Sequence, residues 1–316
     1  MSAQVPAGTV VVGMQLPIQS QSTIYAEPWE AEAGVAELAQ VARACDRAGF
    51  FSIAVCDHVA IPEPLAEKMS TSWWDTVATL GYLAGITDRV NLLSHVYVLP
   101  YRHPLVAAKA FLTLDALSQG RAILGVGAGH AEAEFAALGA DFPRRGQVLE
   151  DAIAVVRAAF AHEFPEATTP TWTVSGLGLR PRPTHLGGPP IWVGGSSPAA
   201  VRRAAQLGDG WLPQGPPEGG MAPAIERIHR LRADAGRADT PFAVGANVEP
   251  IYVGEPAWHV GKWCLSGAPE RIAERLRTYG AMGCNQLQLR FRSRSCAELV
   301  DQIDAFGVDV LPQLND

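Results

Sequence analysis

Several short runs of this sequence pair proton-moving side chains with backbone that a ligand could approach closely. Asp57-His58 sets a carboxylate beside an imidazole. Histidine exchanges protons near neutrality, so His58 is a candidate general acid or base with Asp57 to orient it. A structural Asp-His cap on a loop explains the same pair. Cys56, just before them, reads as a small core residue rather than a nucleophile. Ser94-His95-Val96-Tyr97 carries polar groups inside an otherwise apolar run, where His95 is expected to be buried and hydrogen-bonded. Gly125-Val126-Gly127-Ala128-Gly129-His130 offers three small residues, Gly127, Ala128 and Gly129, over which a planar ring could lie, and His130 is a candidate substrate contact. It is a poor dinucleotide fingerprint, because the third glycine of GxGxxG would fall on His130 or Glu132. Gly194-Gly195-Ser196-Ser197-Pro198 joins two glycines to a helix start, whose unpaired N–H groups could cradle a phosphate. A tight turn with an ordinary Ser cap accounts for it equally. Trp73 and Trp74 could line a pocket mouth, Trp74 as a substrate contact, or simply pack beneath a loop.

These runs need a scaffold, and the chain alternates two kinds of segment. Apolar runs at 10–16, 51–56, 90–98, 122–126, 191–193, 210–212, 243–253 and 286–291 read as strands. Between them, residues 30–48 place Val35, Leu38, Ala42 and Cys45 at helical spacing before Gly49, and a helix is expected from about 74 to 86. Pro104 opens a helix that Gly120 closes, and 147–160 is amphipathic. Ser197-Pro198 caps a helix running to Gly208; further helices fit 221–235 and 269–282, and Ser295 to Glu298 fits a capping box. About eight strand–helix units predict an α/β fold, a (β/α)8 TIM barrel. Strands without polar alternation suit a sheet covered on both faces. Residues 162–190, rich in Pro, Gly and Thr, read as an insertion after the fourth unit, within a single domain over 1–316. The rival is an open doubly wound sheet. In a barrel the site forms at the carboxyl ends of the strands, where the runs above fall.

Net charge is −7 and no basic face is visible, which argues against a nucleic-acid partner. Five scattered cysteines with no CxxC pair support neither a disulfide framework nor a zinc ribbon. No signal peptide or membrane-length apolar run is visible, so no membrane partner and a cytoplasmic location are expected. A metal-dependent barrel hydrolase would use Asp57, His58, His95 and His130, but the first strand lacks His-x-His, and no metal is expected. No lysine falls at a strand end, which disfavours a Schiff-base aldolase.

The order of Asp57-His58, Tyr101-Arg102-His103-Pro104, Leu117-Ser118-Gln119-Gly120-Arg121 leading into Gly125–Gly129, Gly194-Gly195 and Gly208-Asp209-Gly210-Trp211 resembles the luciferase-like monooxygenase superfamily over nearly the whole chain. Within it the sequence resembles the coenzyme F420-dependent oxidoreductases. The resemblance implies hydride transfer between F420 and a small organic substrate, or alternatively an FMN-dependent monooxygenase using oxygen. It implies a ring in the barrel mouth near Asp57 and His58, over Gly127, Ala128 and Gly129, with its phosphate at Gly194, Gly195 and Ser196. It also implies a non-proline cis peptide at Ser94-His95 supporting the ring, and a homodimer. His130 stands where sugar-phosphate dehydrogenases of the superfamily carry an acid, and Ala128 replaces an arginine that holds FMN phosphate in bacterial luciferase. Arg290, Arg292 and Arg294 are candidates for the acidic F420 tail, or form a solvated cluster.

Overall fold

Short apolar strands buried on both faces have two stable outcomes, an open sheet with helices on each side or a closed barrel. A computed structural model, which describes residues 3–315, shows the closed form. Its strands are β1 (Val11–Gln15), β2 (Ser52–Val55), β3 (Asn91–Ser94), β4 (Ala122–Gly127), β5 (Ile191–Gly194), β6 (Gly210–Leu212), β7 (Ala243–Asn247) and β8 (Gln286–Leu289). Each pairs in parallel with its neighbours in chain order, and β8 returns to β1 through Val11↔Gln286 to Met14↔Leu289. The helices between them, α1 (Val35–Ala48), α2 (Thr76–Ala84), α3 (Pro104–Leu117), α4 (Arg145–Ala161), α5 (Pro198–Leu207), α6 (Met221–Asp234), α7 (Pro269–Ala281) and α8 (Cys296–Ala305), cover the outside. The barrel expectation holds. Among the described residues no helix is long and apolar enough to cross a membrane.

Local signals set most boundaries. Gly49 adopts φ +83° and stops α1 as expected. Ser197 caps α5 by accepting a hydrogen bond from Ala200 N–H, and Pro198 occupies the first turn. Helix α2 starts at Thr76, two residues later than expected, because Asp75 accepts from Ala78 N–H and so is the cap. Residues 28–32 form a separate 3-10 turn ahead of α1, pinned by buried Glu30, whose carboxylate accepts from Ile18 and Glu27 N–H.

Three departures from the sequence expectation shape the mouth. The third strand is not continuous over 90–98: it ends at Ser94 and resumes at Tyr97–Val98. The cis peptide in the gap is His95-Val96, one residue beyond the expected Ser94-His95. Residues 243–253 are not one strand either. Pro250 has no N–H to give a ladder, β7 stops at Asn247, and Ile251–Val253 pairs instead with Leu265–Gly267 in a separate two-stranded unit. The 162–190 insertion carries a small antiparallel pair, Ala167–Thr168 with Thr173–Val174, and lies along the α3–α4 flank. Arg182 donates to the carbonyls of Ala159, Phe160 and His162 at the end of α4, while Trp172 reaches His103 at the start of α3.

Gly125 on β4 is where the break in β3 leans on its neighbour. A Cβ there would lie 1.9 Å from the Ser94 carbonyl oxygen, a backbone atom with nowhere to retreat, and Ser94 Oγ also donates to the Gly125 carbonyl. Overpacking a core against flexible side chains typically costs about 1–3 kcal/mol, and a backbone clash belongs at or above that range. Gly125→Ala is therefore expected to lose at least about 3 kcal/mol of stability by urea denaturation. A loss below about 1 kcal/mol would mean that Ser94 is not held as described.

Candidate active site

Because every barrel strand runs the same way, the segments following β2, β3, β4 and β5 gather at one end. They bring His58, Val96, His130 and Gly194–Ser196 to that end. The ring of His58 lies 4.6 Å from the Trp73 ring and 5.5 Å from that of His130, edge-on to both. His58 is mostly enclosed, and His130 is exposed at the rim. Partial loss of water around its ring and the neighbouring His58 lower the His130 pKa, against the opposing pull of Glu134.

The group that orients His58 is not Asp57. Asp57 is buried and fully engaged elsewhere: both carboxylate oxygens receive the Arg102 guanidinium at 2.7 Å, Oδ2 also accepts from Val98 N–H, and Oδ1 accepts from the Thr76 hydroxyl. It ties β2 to the resumed third strand and to α2. His58 Nδ1 instead meets Glu134 Oε2 at 2.8 Å. Glu134, on the short helix Glu132–Ala137 after β4, is 1% exposed and also accepts from Tyr101 Oη and from the Val59 and Ala60 N–H groups. Burial alone would raise its pKa, but the hydrogen bonds from His58, Tyr101, Ala60 and Val59 outweigh it and bring the pKa to about 2. A permanent anion against Nδ1 fixes the proton there and leaves Nε2 as the basic nitrogen.

Glu134 and Tyr101 escaped sequence reasoning as site residues. Glu134 sits in Ala131-Glu132-Ala133-Glu134, which reads as an ordinary acidic first turn of a helix. No local signal marks it, because its partners come from the loop after β2 and from Tyr101. Trp74 N–H donates to the Gln19 carbonyl and the residue lines a groove with Val35, Ala78 and Tyr82, whereas Trp73 packs on His58.

Two of the glycines leave room for a neighbouring side chain. A Cβ on Gly127 would lie 2.5 Å from Val96 Cγ2, and one on Gly194 would lie 2.6 Å from Val96 Cγ1. The gap in the third strand pushes Val96 across the mouth, and β4 and β5 make room for it. Ala128 beside Gly127 is partly buried against the core, and Gly129, with φ +78°, turns the chain over Phe135. Gly195, with φ +103°, and Ser196 stay partly open; Ser196 donates to the Gly215 carbonyl and Trp211 Nε1 to that of Gly195. Ser94 is used by its hydroxyl bond to Gly125. His95 is buried as expected but is not hydrogen-bonded: at 3% exposure neither ring nitrogen has a partner among the described residues.

A metal-hydrolase reading fails on donor geometry. Among the described residues no three His, Cys, Asp or Glu side chains gather to hold a metal, and Asp57 is saturated by its own protein. Burial pushes the Cys56 thiol pKa up, so it is no nucleophile. Of the three arginines near the last strand, Arg292 pairs with Glu27 and Arg294 with Glu298, and Arg290 remains without a carboxylate contact.

The chain was compared with known proteins. It is 30% identical over 216 residues to an uncharacterized protein of Mycobacterium tuberculosis, covering 65% of this chain and 74% of that protein. It is 31% identical over 183 residues to an F420-dependent glucose-6-phosphate dehydrogenase of Microbacterium testaceum, spanning 57% of this chain and about half (52%) of that enzyme. In fold it matches a monooxygenase of Streptomyces bottropensis, with TM-score 0.78, 19% identity and coverage of 96% and 99% of the two chains. It also matches an F420-dependent secondary alcohol dehydrogenase, with TM-score 0.77, 17% identity and coverage of 98% and 100%. The model of the family described as luciferase-like monooxygenase matches residues 11–257, from the first barrel strand into the excursion after the seventh. Every segment that builds the His58 pocket lies inside that match, and the chain belongs to the luciferase-like monooxygenase family.

Proposed function

We propose that this protein is an oxidoreductase that transfers hydride between coenzyme F420 and a small organic substrate, with His58 moving the accompanying proton. The Glu134 clamp on His58 carries the assignment. Interconverting an alcohol and a ketone, or an amine and an imine, moves one proton with each hydride, and a histidine with a fixed tautomer is suited to that proton. Metal-assisted hydrolysis would need a cluster of ligands, and among the described residues no three His, Cys, Asp or Glu side chains gather to form one. The names of the dehydrogenase and the secondary alcohol dehydrogenase among the similar proteins support the same chemistry.

The residues fit a flat ring with a phosphate. Val96 forms a partly exposed apolar floor between β4 and β5. His95 has both nitrogens unpartnered, and burial, with a contribution from Arg290, lowers its pKa to about 4, so at pH 7 it offers one donor and one acceptor. Gly195 and Ser196, at the N-terminus of α5, would hold the phosphate. When bound, F420 supplies the hydride from its deazaflavin ring. The protein's part is to orient the substrate, exclude water beneath Trp73, and give or take a proton at His58 Nε2.

Equilibrium binding of F420 and FMN to the apo-protein, followed by redox turnover with the tighter partner, tests the cofactor. Micromolar F420 binding with negligible FMN affinity is expected; the reverse would replace this reading with an FMN-dependent monooxygenase. Glu134→Gln tests the clamp, because an amide NH2 facing Nδ1 moves the imidazole proton to Nε2. Its turnover is expected to fall by roughly 10²–10⁴-fold with cofactor affinity little changed, and unchanged turnover would remove His58 from the chemistry. The pH dependence has a defined sign. Because folding lowers the Glu134 pKa from 4.5 to about 2, its stabilising contribution is complete above pH 4.5 and disappears as pH falls through about 2. The stability gap between wild type and Glu134→Gln, measured by urea denaturation, should close over that window and stay constant above it.

A further inference from the structure

Arg290 is the first residue beyond β8, partly buried at the mouth of the barrel. It lines a small cleft of about 30 Å³ with Gln15, Ser20, Tyr25, Glu30 and Ser293. Its guanidinium carbon lies over the Tyr25 ring, 3.9 Å from the centroid. Among the described residues it has no ion pair and no hydrogen bond.

The same protein shows what a stacked arginine of this kind normally holds. Arg102 lies 4.0 Å over Tyr97 and grips Asp57 with both arms of its fork. Arg275 over Tyr279 holds Glu249, and Arg292 and Arg294 beside Trp258 hold Glu27 and Glu298. Arg232 on Phe242 and Arg145 on Phe142 donate to main-chain carbonyls. Stacking on an aromatic ring occupies the face of a guanidinium and leaves its N–H edge to receive a planar, two-oxygen acceptor. Arg290 has the stack and lacks the acceptor. A partly buried cation without a protein partner is left with its N–H edge open to an anion.

The nearby acids do not complete it. Glu27 is taken by Arg292, and both oxygens of Glu30 are used by the Ile18 and Glu27 amides. They do shape what can bind, since two acids beside the cleft oppose a phosphate dianion more than a single carboxylate. Position separates this cleft from the phosphate cradle. In the closed barrel β8 and β1 are three and four places from β5, on the far side of the mouth, with His58 and His95 following β2 and β3.

We propose that Arg290, stacked on Tyr25, is a subsite for a carboxylate carried by the substrate, so that the enzyme acts on small organic acids bearing an alcohol, ketone, amine or imine. This deepens the oxidoreductase reading and names its substrate class.

The test uses succinate, succinamide and inorganic phosphate, titrated by calorimetry into the apo-protein and into Arg290→Gln, with F420 affinity measured on both. Succinate is expected to bind wild type and succinamide not, with Arg290→Gln weakening succinate by about tenfold or more and leaving F420 affinity essentially unchanged. Equal succinate binding by both proteins, or none by wild type, overturns the proposal. Tighter binding of phosphate than of succinate overturns the carboxylate class. A selective loss of F420 affinity in Arg290→Gln assigns the residue to the cofactor tail instead. Should that variant not fold, the comparison of charged and neutral ligands on wild type, together with Arg290→Lys, which keeps the charge but loses the fork, still decides. Since the anion titration needs no cofactor, failure of the F420 reading would leave its outcome standing.

Discussion

A carboxylate sealed from water must either take up a proton or be surrounded by donors, and Glu134 is surrounded by four. Two are main-chain amides of the loop after β2, one is the Tyr101 hydroxyl, and one is the His58 ring. This single anion ties the loop after β2 to the helix after β4 and sets the tautomer of His58. Without it, the loop carrying His58 would lose its anchor and the imidazole could carry its proton on either nitrogen.

Asp57 is adjacent to His58 in sequence and does something else. Its bidentate Arg102, with Thr76 and Val98, locks the frame on which the mouth is built, and Arg102 is itself stacked on Tyr97. The two acids are thus divided between holding the scaffold and holding the His58 ring. That division keeps one role from disturbing the other, since a group engaged by an arginine on both oxygens has no lone pair aimed at a catalytic ring.

The glycine-rich turns fit the same picture. Gly127 and Gly194 lack side chains because Val96 fills the space where their Cβ atoms would lie. What reaches the open mouth is an apolar valine between two strands, with the partly open backbone of Gly195 and Ser196 beyond it. That apolar surface is made by a side chain from the gap after β3, with Gly127 and Gly194 clearing its way.

Much was legible in the residues themselves. Alternation of apolar runs with capped helices announced eight strand–helix units, because burial on both faces removes polar residues from strands and because Ser, Pro and Gly mark helix ends through local backbone chemistry. The same logic placed His58, His130 and Gly194–Ser196 at strand ends and so at one end of the barrel. What it could not supply were contacts between distant segments. Glu134 lies 76 positions from His58, and Arg102 lies 45 from Asp57. Adjacency in sequence suggested an Asp57–His58 partnership that packing replaced. Nor could spacing show that His95 is enclosed without partners, or that Arg290 stands at the mouth with no carboxylate paired to it. Local chemistry decides where a strand or helix stops; which charge meets which depends on how the closed barrel brings its loops together, and only the folded chain determines that.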